Sequence, residues 1–197
     1  MSRGERTRTA ILDEAFGQAS RLGLEGLSIG TLARSVGMSK SGLFAHFGSK
    51  AELQTAVLER GAERFIARVV LPAIALPRGE PRVRALVDNW LRWSAGPRGA
   101  PSGCLFVSAA SEFDDRPGPV RDEVARQVRD WRGTLARAAR IAIEEGHFRA
   151  DLDPEQFAFE LHALLLGYQL QARLLERDAQ RLAEAALDRL FVSARPS

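Results

Sequence analysis

Ser28-Ile-Gly-Thr-Leu-Ala-Arg-Ser-Val-Gly-Met-Ser-Lys-Ser-Gly-Leu-Phe-Ala-His-Phe-Gly-Ser-Lys50 decides the fold. Ser28 stands at an N-cap position, and Leu32, Ala33 and Val36 give the short helix after it an inward face. Gly37 follows where a helix C-terminus takes a left-handed residue. Met38 then turns inward. Ser39 caps a second short helix to about Phe47, with Leu43 and Phe47 facing the core. Two short helices joined by a tight glycine turn form a helix-turn-helix. Gly48 breaks the chain, and Ser49-Lys50-Ala51-Glu52 reads as a capping box opening the next helix.

Outward from this stretch the periodicity stays helical and strand signals are nearly absent. A first helix spans about 5–22, with an apolar stripe of Ile11, Leu12, Ala15, Phe16, Ala19 and Leu22. The helix opened at Ser49 carries Leu53, Val57 and Phe65 and fades near Val70. Three prolines and a glycine make Leu71–Pro81 a turn. Helices of about 81–95 and 102–114 flank the loop 96–102. Pro117-Gly-Pro119 precedes a long helix of about 119–145, stopped by Gly146. Asp153 at N-cap and Pro154 at N1 start a helix to about Glu176, and a last helix covers about 178–192. The expectation is an all-α chain of about nine helices. Residues 1–50 form one domain and 51–197 a second, larger one, with the helix of about 50–70 connecting them.

Charge is placed unevenly. Residues 1–50 hold seven basic side chains against four acidic ones, whereas the rest holds 21 of each. The net +3 therefore sits in the first quarter, which points to a polyanionic partner for that segment. Lys40 and Lys50, the only lysines, both fall there. No stretch approaches the roughly 18 uninterrupted apolar residues of a membrane helix. The beginning lacks the apolar run of a secretory signal, and the single cysteine, Cys104, allows no disulfide within the chain. These features predict a cytoplasmic protein without membrane association.

The second short helix opens with Ser39, Lys40, Ser41 and Gly42. A recognition helix reads base edges with its first residues, and small ones let the backbone approach the groove. Lys40 can donate to guanine O6 and N7, and the serine hydroxyls can serve phosphate or base. Phe44 is directed outward and can pack on a sugar-phosphate wall. His46 can donate to a phosphate. Lys50 sits at a helix N-terminus, whose free N–H groups also favour an anion.

Residues 8–55 resemble the DNA-binding domain of the TetR/AcrR family of bacterial regulators. The likeness is gapless over roughly 45 residues and rests on Ala10–Phe16, Gly23–Ser28, Leu32-Ala33, Val36–Ser39 and Gly42–Lys50. It implies that Ser28 contacts phosphate, that Lys40, Ser41 and Gly42 face bases, and that Phe44, His46 and Lys50 line the backbone. The family usually has Tyr at the place of Phe44, so one hydroxyl bond to phosphate is missing. Further implications are a ligand-responsive transcriptional regulator, by default a repressor, dimeric through its last two helices. It would sit on a palindromic operator and release it when a small molecule enters the larger domain.

The residues speak to dimerisation independently. The helix from Pro154 is apolar almost all round, and such a helix needs cover on every side. A second copy can supply it, with Leu161, Leu165, Tyr168, Leu182, Leu187 and Leu190 as candidate contacts; the alternative is a central core helix of a monomer. A pocket for an apolar or amphipathic effector needs apolar walls and a few polar groups. Candidates are Trp90, Trp93, Cys104, Phe106, Phe113, Trp131, Phe159 and His162, with Glu112 to orient a polar or cationic group. Each is also an ordinary core residue, and Cys104 reads either as a structural thiol or as a redox switch. Catalysis finds no support. Gly37-Met-Ser-Lys-Ser41 lacks the second glycine of a nucleophile elbow, Asp151-Leu-Asp153 lacks the rest of a calcium loop, and no phosphate-binding loop or metal motif occurs. No catalytic residue, metal or cofactor is expected. The remaining alternative is a helical adaptor that has lost DNA binding.

Overall fold

A computed structural model describes residues 3–95, 103–175 and 178–196. Among these the chain is all-α: α1 (Arg3–Leu22), α2 (Ile29–Ser35), α3 (Lys40–Phe47), α4 (Lys50–Phe65), α5 (Leu71–Ile74), α6 (Glu80–Ala95), α7 (Leu105–Phe113), α8 (Pro119–Glu144), α9 (Pro154–Leu174) and α10 (Ala179–Ala194). A π-helical turn, Ile66–Val70, joins α4 to α5 without a break. Counting α4, this turn and α5 as one helical run, the described residues hold nine such runs. The loop expected at 96–102 lies outside the described residues, as does Glu176, where the helix from Pro154 was expected to end.

The turn expected at 71–81 is only partly there, because helix continues to Ile74. Pro72 has no N–H and its ring would strike a carbonyl one α-turn back. The π-turn relieves this: the Leu71 N–H reaches back to Ile66 O, five residues away, and the widened turn lets the helix pass the proline. The reversal is confined to the residues between α5 and α6.

Two compact units form, one of the residues up to Arg64 with Cys104–Gln127, the other of Phe65–Gly103 with Val128–Ser197. In the first, α1 buries Ile11, Leu12, Ala15 and Ala19. Gly23, at φ +83°, ends it, its N–H closing on Ala19 O at 2.9 Å. The α2–α3 turn follows the glycine-ended helix pattern in full. Gly37 is left-handed at φ +69°; its N–H bonds Arg34 O at 3.2 Å and the Met38 N–H bonds Ala33 O at 2.8 Å. Ser39 accepts from the Gly42 N–H at 3.0 Å, whereas Ser28 occupies its N-cap position without a side-chain cap bond. The capping box at Ser49 is half formed: Ser49 Oγ accepts from the Glu52 N–H at 3.1 Å, while the Glu52 carboxylate lies over Gly48.

The second unit is built on α6, α9, α10 and the rest of α8. Phe148, Phe157 and Phe191 form its aromatic centre, with ring centroids 5.1–6.2 Å apart. Asp153 caps α9, its carboxylate accepting from the Glu155 and Gln156 N–H groups at 2.9 and 3.3 Å. At the edge of this core, the nearly buried Glu80 accepts from Arg195 and Arg84, each pair at 2.6 Å.

Candidate nucleic-acid interface

α3 is held by packing and by charge. Leu43 and Phe47 are buried beneath it, and the Arg8 guanidinium of α1 lies 5.0 Å over the Phe47 ring. Gln18, also from α1, donates to Ser35 Oγ at the end of α2 (3.0 Å). α4 is clamped to α1 by Arg60 and Arg64, which converge on Asp13 at 2.8 and 3.4 Å. Gln54, buried on α4, donates to Leu24 O at 3.0 Å and so fixes the α1–α2 loop. Polar bonds thus tie α2 and α4 to α1, and the Arg8–Phe47 contact ties α3 to it, besides their apolar faces.

On the outer side of this frame lies an open hollow of about 450 Å³, lined by Glu25–Gly30, Lys40, Phe44 and Lys50. Four of the residues singled out by sequence, Ser28, Lys40, Phe44 and Lys50, meet there. Gly30 makes room for one of them: a Cβ at that position would stand 3.0 Å from Lys40 Cε. Phe44 is 44% exposed, a large aromatic face turned outward. Lys50 Nζ donates to Glu25 O at 2.9 Å and lies 3.7 Å from Glu25 Oε1. Ser39, Ser41 and Gly42 adjoin the hollow at the start of α3; Ser39 and Ser41 share a hydrogen bond of 3.1 Å. His46 is not among the lining residues. It is half-buried on the last turn of α3, its ring 6.2 Å from that of Phe47.

Sequence reasoning missed Glu25, Gly26, Leu27, Ile29 and Gly30 as parts of this surface. Gly30 carried a signal, since glycine inside a helix is unfavourable unless something approaches closely.

The candidate effector residues are divided between the two units. Cys104, Phe106, Phe113 and Glu112 belong to the N-terminal unit, whereas Trp90, Trp93, Trp131, Phe159 and His162 belong to the other. The Glu112 carboxylate accepts from the Glu25 N–H at 2.7 Å. Phe159 is 55% exposed and lines no interior. Cys104 is buried, and Phe106 packs across Gly61. In the second unit Phe65 stands edge-on to Trp93 and to Trp131, at 5.7 and 5.0 Å. Trp131 is buried, and its indole N–H has no hydrogen-bond partner among the described residues. Burial, and then the positive charge of Arg132, lowers the pKa of His162, so this imidazole is neutral at pH 7.

The candidate dimer contacts need correction as well. Leu161, Leu165 and Leu187 are buried inside their own chain and have no surface to offer a second copy. Tyr168 and Leu190 are partly covered, Tyr168 by Trp90 at 6.5 Å. The open large apolar positions are Phe159, Leu170 and Leu174 on α9 and Leu182 and Val192 on α10. Reading α9 as apolar all round left the choice of face undetermined.

Among the described residues no cluster of three or more His, Cys, Asp or Glu could hold a metal ion. Among the same residues no helix is long and apolar enough to cross a membrane.

No curated protein matches the chain. Solved structures do. A TetR transcriptional regulator from Chloroflexus aurantiacus is 26% identical, covers 98% of this chain and 96% of its own, and superposes with a TM-score of 0.84. AibR, solved with isovaleryl coenzyme A and operator DNA, is 21% identical over 95% of this chain and 99% of its own, at a TM-score of 0.71. A transcriptional regulator from Saccharomonospora viridis, solved with choline, is 24% identical over 93% and 95%, at 0.79. Residues 11–57 match the family described as bacterial regulatory proteins, tetR family. Residues 79–187, more than half of the chain, match the tetracyclin repressor-like C-terminal domain. With both matches in chain order and a helix-turn-helix between α1 and α4, the protein belongs to the TetR family and is a DNA-binding transcriptional regulator.

Proposed function

We propose that the protein is a cytoplasmic repressor that binds a palindromic operator as a homodimer and leaves it when a small effector occupies its C-terminal unit. One observation carries the DNA reading: Ser28, Lys40, Phe44 and Lys50 line a single hollow beside the small-residue start of α3. Lys40, Ser41 and Gly42 then face base edges, while Ser28, Ser39, Phe44, His46 and Lys50 meet the sugar-phosphate backbone. The missing phenol at Phe44 shifts the backbone grip toward His46 and Lys50. The chain acts by binding and has no catalytic centre in this reading. The dimer forms through the open faces of α9 and α10, where Phe159, Leu170, Leu174 and Leu182 need cover. Two copies would place their α3 helices in successive major grooves, about 34–36 Å apart.

For the effector, the support is the unpartnered Trp131 N–H beside Phe65 and Trp93. A buried unpaired donor costs about 1–3 kcal/mol. The effector that relieves this is an apolar body carrying a hydrogen-bond acceptor. The positive charge of Arg132, next in sequence to Trp131, disfavours a cation.

The DNA reading is tested by gel shift on operators selected from a random duplex library. Binding should fall steeply with salt. Lys50→Ala should weaken all sequences about equally. Lys40→Ala should change base preference at one position, at about 1–3 kcal/mol. An unaltered preferred sequence after Lys40→Ala would place the reading face elsewhere.

A further inference from the structure

The hollow that faces DNA contains an acid. Glu25, in the loop before α2, has three different partners. Its backbone N–H donates to Glu112 Oε2 on α7 at 2.7 Å. Its carbonyl accepts from Lys50 Nζ at 2.9 Å, with Oε1 of its carboxylate 3.7 Å from the same ammonium. The other carboxylate oxygen, Oε2, lies 3.4 Å from Nη1 of Arg116, just past the end of α7. Arg116 is itself propped on the Phe113 ring, 5.6 Å from its centroid. The α1–α2 loop is therefore gripped by α7 through Glu112, and its carboxylate is shared between a cation of the DNA face and a cation of α7's end.

A carboxylate and a phosphodiester offer lysine the same thing, anionic oxygens at hydrogen-bond distance. Lys50 cannot give its full charge to both. We propose that Glu25 is an internal stand-in for a DNA phosphate. It occupies Lys50 in the free protein, gives way when a duplex arrives, and is then received by Arg116. Glu112 holds the loop backbone in place during the exchange. Arg116 and Glu112 are accordingly positioning residues for DNA binding, although neither reaches the duplex. The strength with which Glu25 competes depends on where the end of α7 sits, so any shift of α7 is felt at Lys50. This inference rests on reading Lys50 as a phosphate contact.

The test is a double-mutant cycle on the full-length protein, with affinity read by fluorescence anisotropy on an operator selected by the wild-type chain. Glu25→Gln removes the competitor and should tighten binding about two- to fivefold, the range of one exposed ion pair. Glu59→Gln, which removes an exposed charge on α4 remote from the hollow residues, controls for net charge and should not reproduce the gain. Arg116→Ala leaves Glu25 with Lys50 alone and should weaken binding by a similar factor. In the Glu25→Gln background, Arg116→Ala should have no effect. A Glu25→Gln gain no greater than that of Glu59→Gln overturns the proposal. So does an Arg116→Ala loss of equal size in both backgrounds, which would mean that Arg116 touches DNA itself. Lys50→Ala separates the two levels. If it leaves affinity unchanged, the phosphate reading of Lys50 fails. If it weakens binding while Glu25→Gln does nothing, only the stand-in role fails.

Discussion

Gly23 is where the grip of α7 on the α1–α2 loop can be weighed. It is left-handed, at φ +83°, and a Cβ there would overlap Glu112 Oε1 and stand 3.0 Å from Glu112 Cδ. Gly23→Ala thus imposes two costs. The left-handed conformation costs about 1–2 kcal/mol for a residue with a Cβ. Displacing the Glu112 carboxylate also breaks its bond to the Glu25 N–H, worth about 1 kcal/mol at an exposed site. Gly37 separates the two terms, because it is left-handed at φ +69° and a Cβ there meets nothing within 4 Å. Gly37→Ala should cost about 1–2 kcal/mol, and Gly23→Ala about 1 kcal/mol more. Adding Glu112→Ala should reduce the Gly23→Ala cost to the Gly37→Ala value. The probe matters: Trp90, Trp93 and Trp131 all lie in the second unit, so tryptophan fluorescence does not report on this site. Hydrogen exchange of α1 and α2 amides does. Equal costs for Gly23→Ala and Gly37→Ala, or no relief from Glu112→Ala, would refute the clash and with it the reading of Glu112 as a clasp.

The other expectations concern the second unit. Phe157→Ala removes one of three mutually packed rings and should destabilise the unit by about 3–5 kcal/mol, read by tryptophan fluorescence in urea. The Arg195 hydrogen bond, and after it Arg84, hold the Glu80 carboxyl below its ordinary pKa. A depressed folded-state pKa contributes stability that is present above the unfolded pKa and lost as pH falls through the folded one. Glu80→Gln should therefore flatten the acid limb of the stability curve below about pH 4.5 and leave the alkaline limb unchanged; an unchanged acid limb would show that the pairs contribute nothing. Leu170→Arg places a charge on the open face of α9 and should convert a dimer to monomers in sedimentation velocity, whereas an undisturbed dimer would move the interface elsewhere.

Legibility in the sequence followed the range of the forces involved. The α2–α3 turn was readable because Gly37 and Ser39 act within five residues, through a left-handed φ and one cap bond. The start of α9 was readable for the same reason, with Asp153 and Pro154 adjacent. The run from Lys50 to Ile74 was misread because a π-turn exists only to accommodate Pro72, and no local pattern announces one. Leu161, Leu165 and Leu187 were offered as dimer contacts because apolar character says that a residue needs cover, not whether its own chain provides it. Glu112 was the least legible. Its partner, the Glu25 N–H, lies 87 residues away, and a glutamate in a mixed helix looks alike whether it meets a ligand, solvent or a loop. The hollow was half legible: Lys40, Phe44 and Lys50 stood out by charge and outward direction, whereas Gly30 matters through the room it leaves for Lys40.

Lys50 has a physical reason to be a lysine if the exchange at Glu25 is how the DNA face works. The chain carries 28 basic side chains, and all but Lys40 and Lys50 are arginine. Arginine holds a carboxylate through a rigid two-pronged fork, as Arg60 grips Asp13 through Nε and Nη2 at 2.8 and 3.2 Å. Such a grip suits a structural clamp and would be slow to release. Lysine presents a single ammonium on a flexible stem, and Lys50 sits at 3.7 Å from Glu25 Oε1, a looser pairing than any of the Arg60 contacts. At a site that must surrender one anion to take another, the weaker and less directional cation allows exchange. The same contrast assigns Arg116 to the receiving side, where a fork can hold the displaced carboxylate.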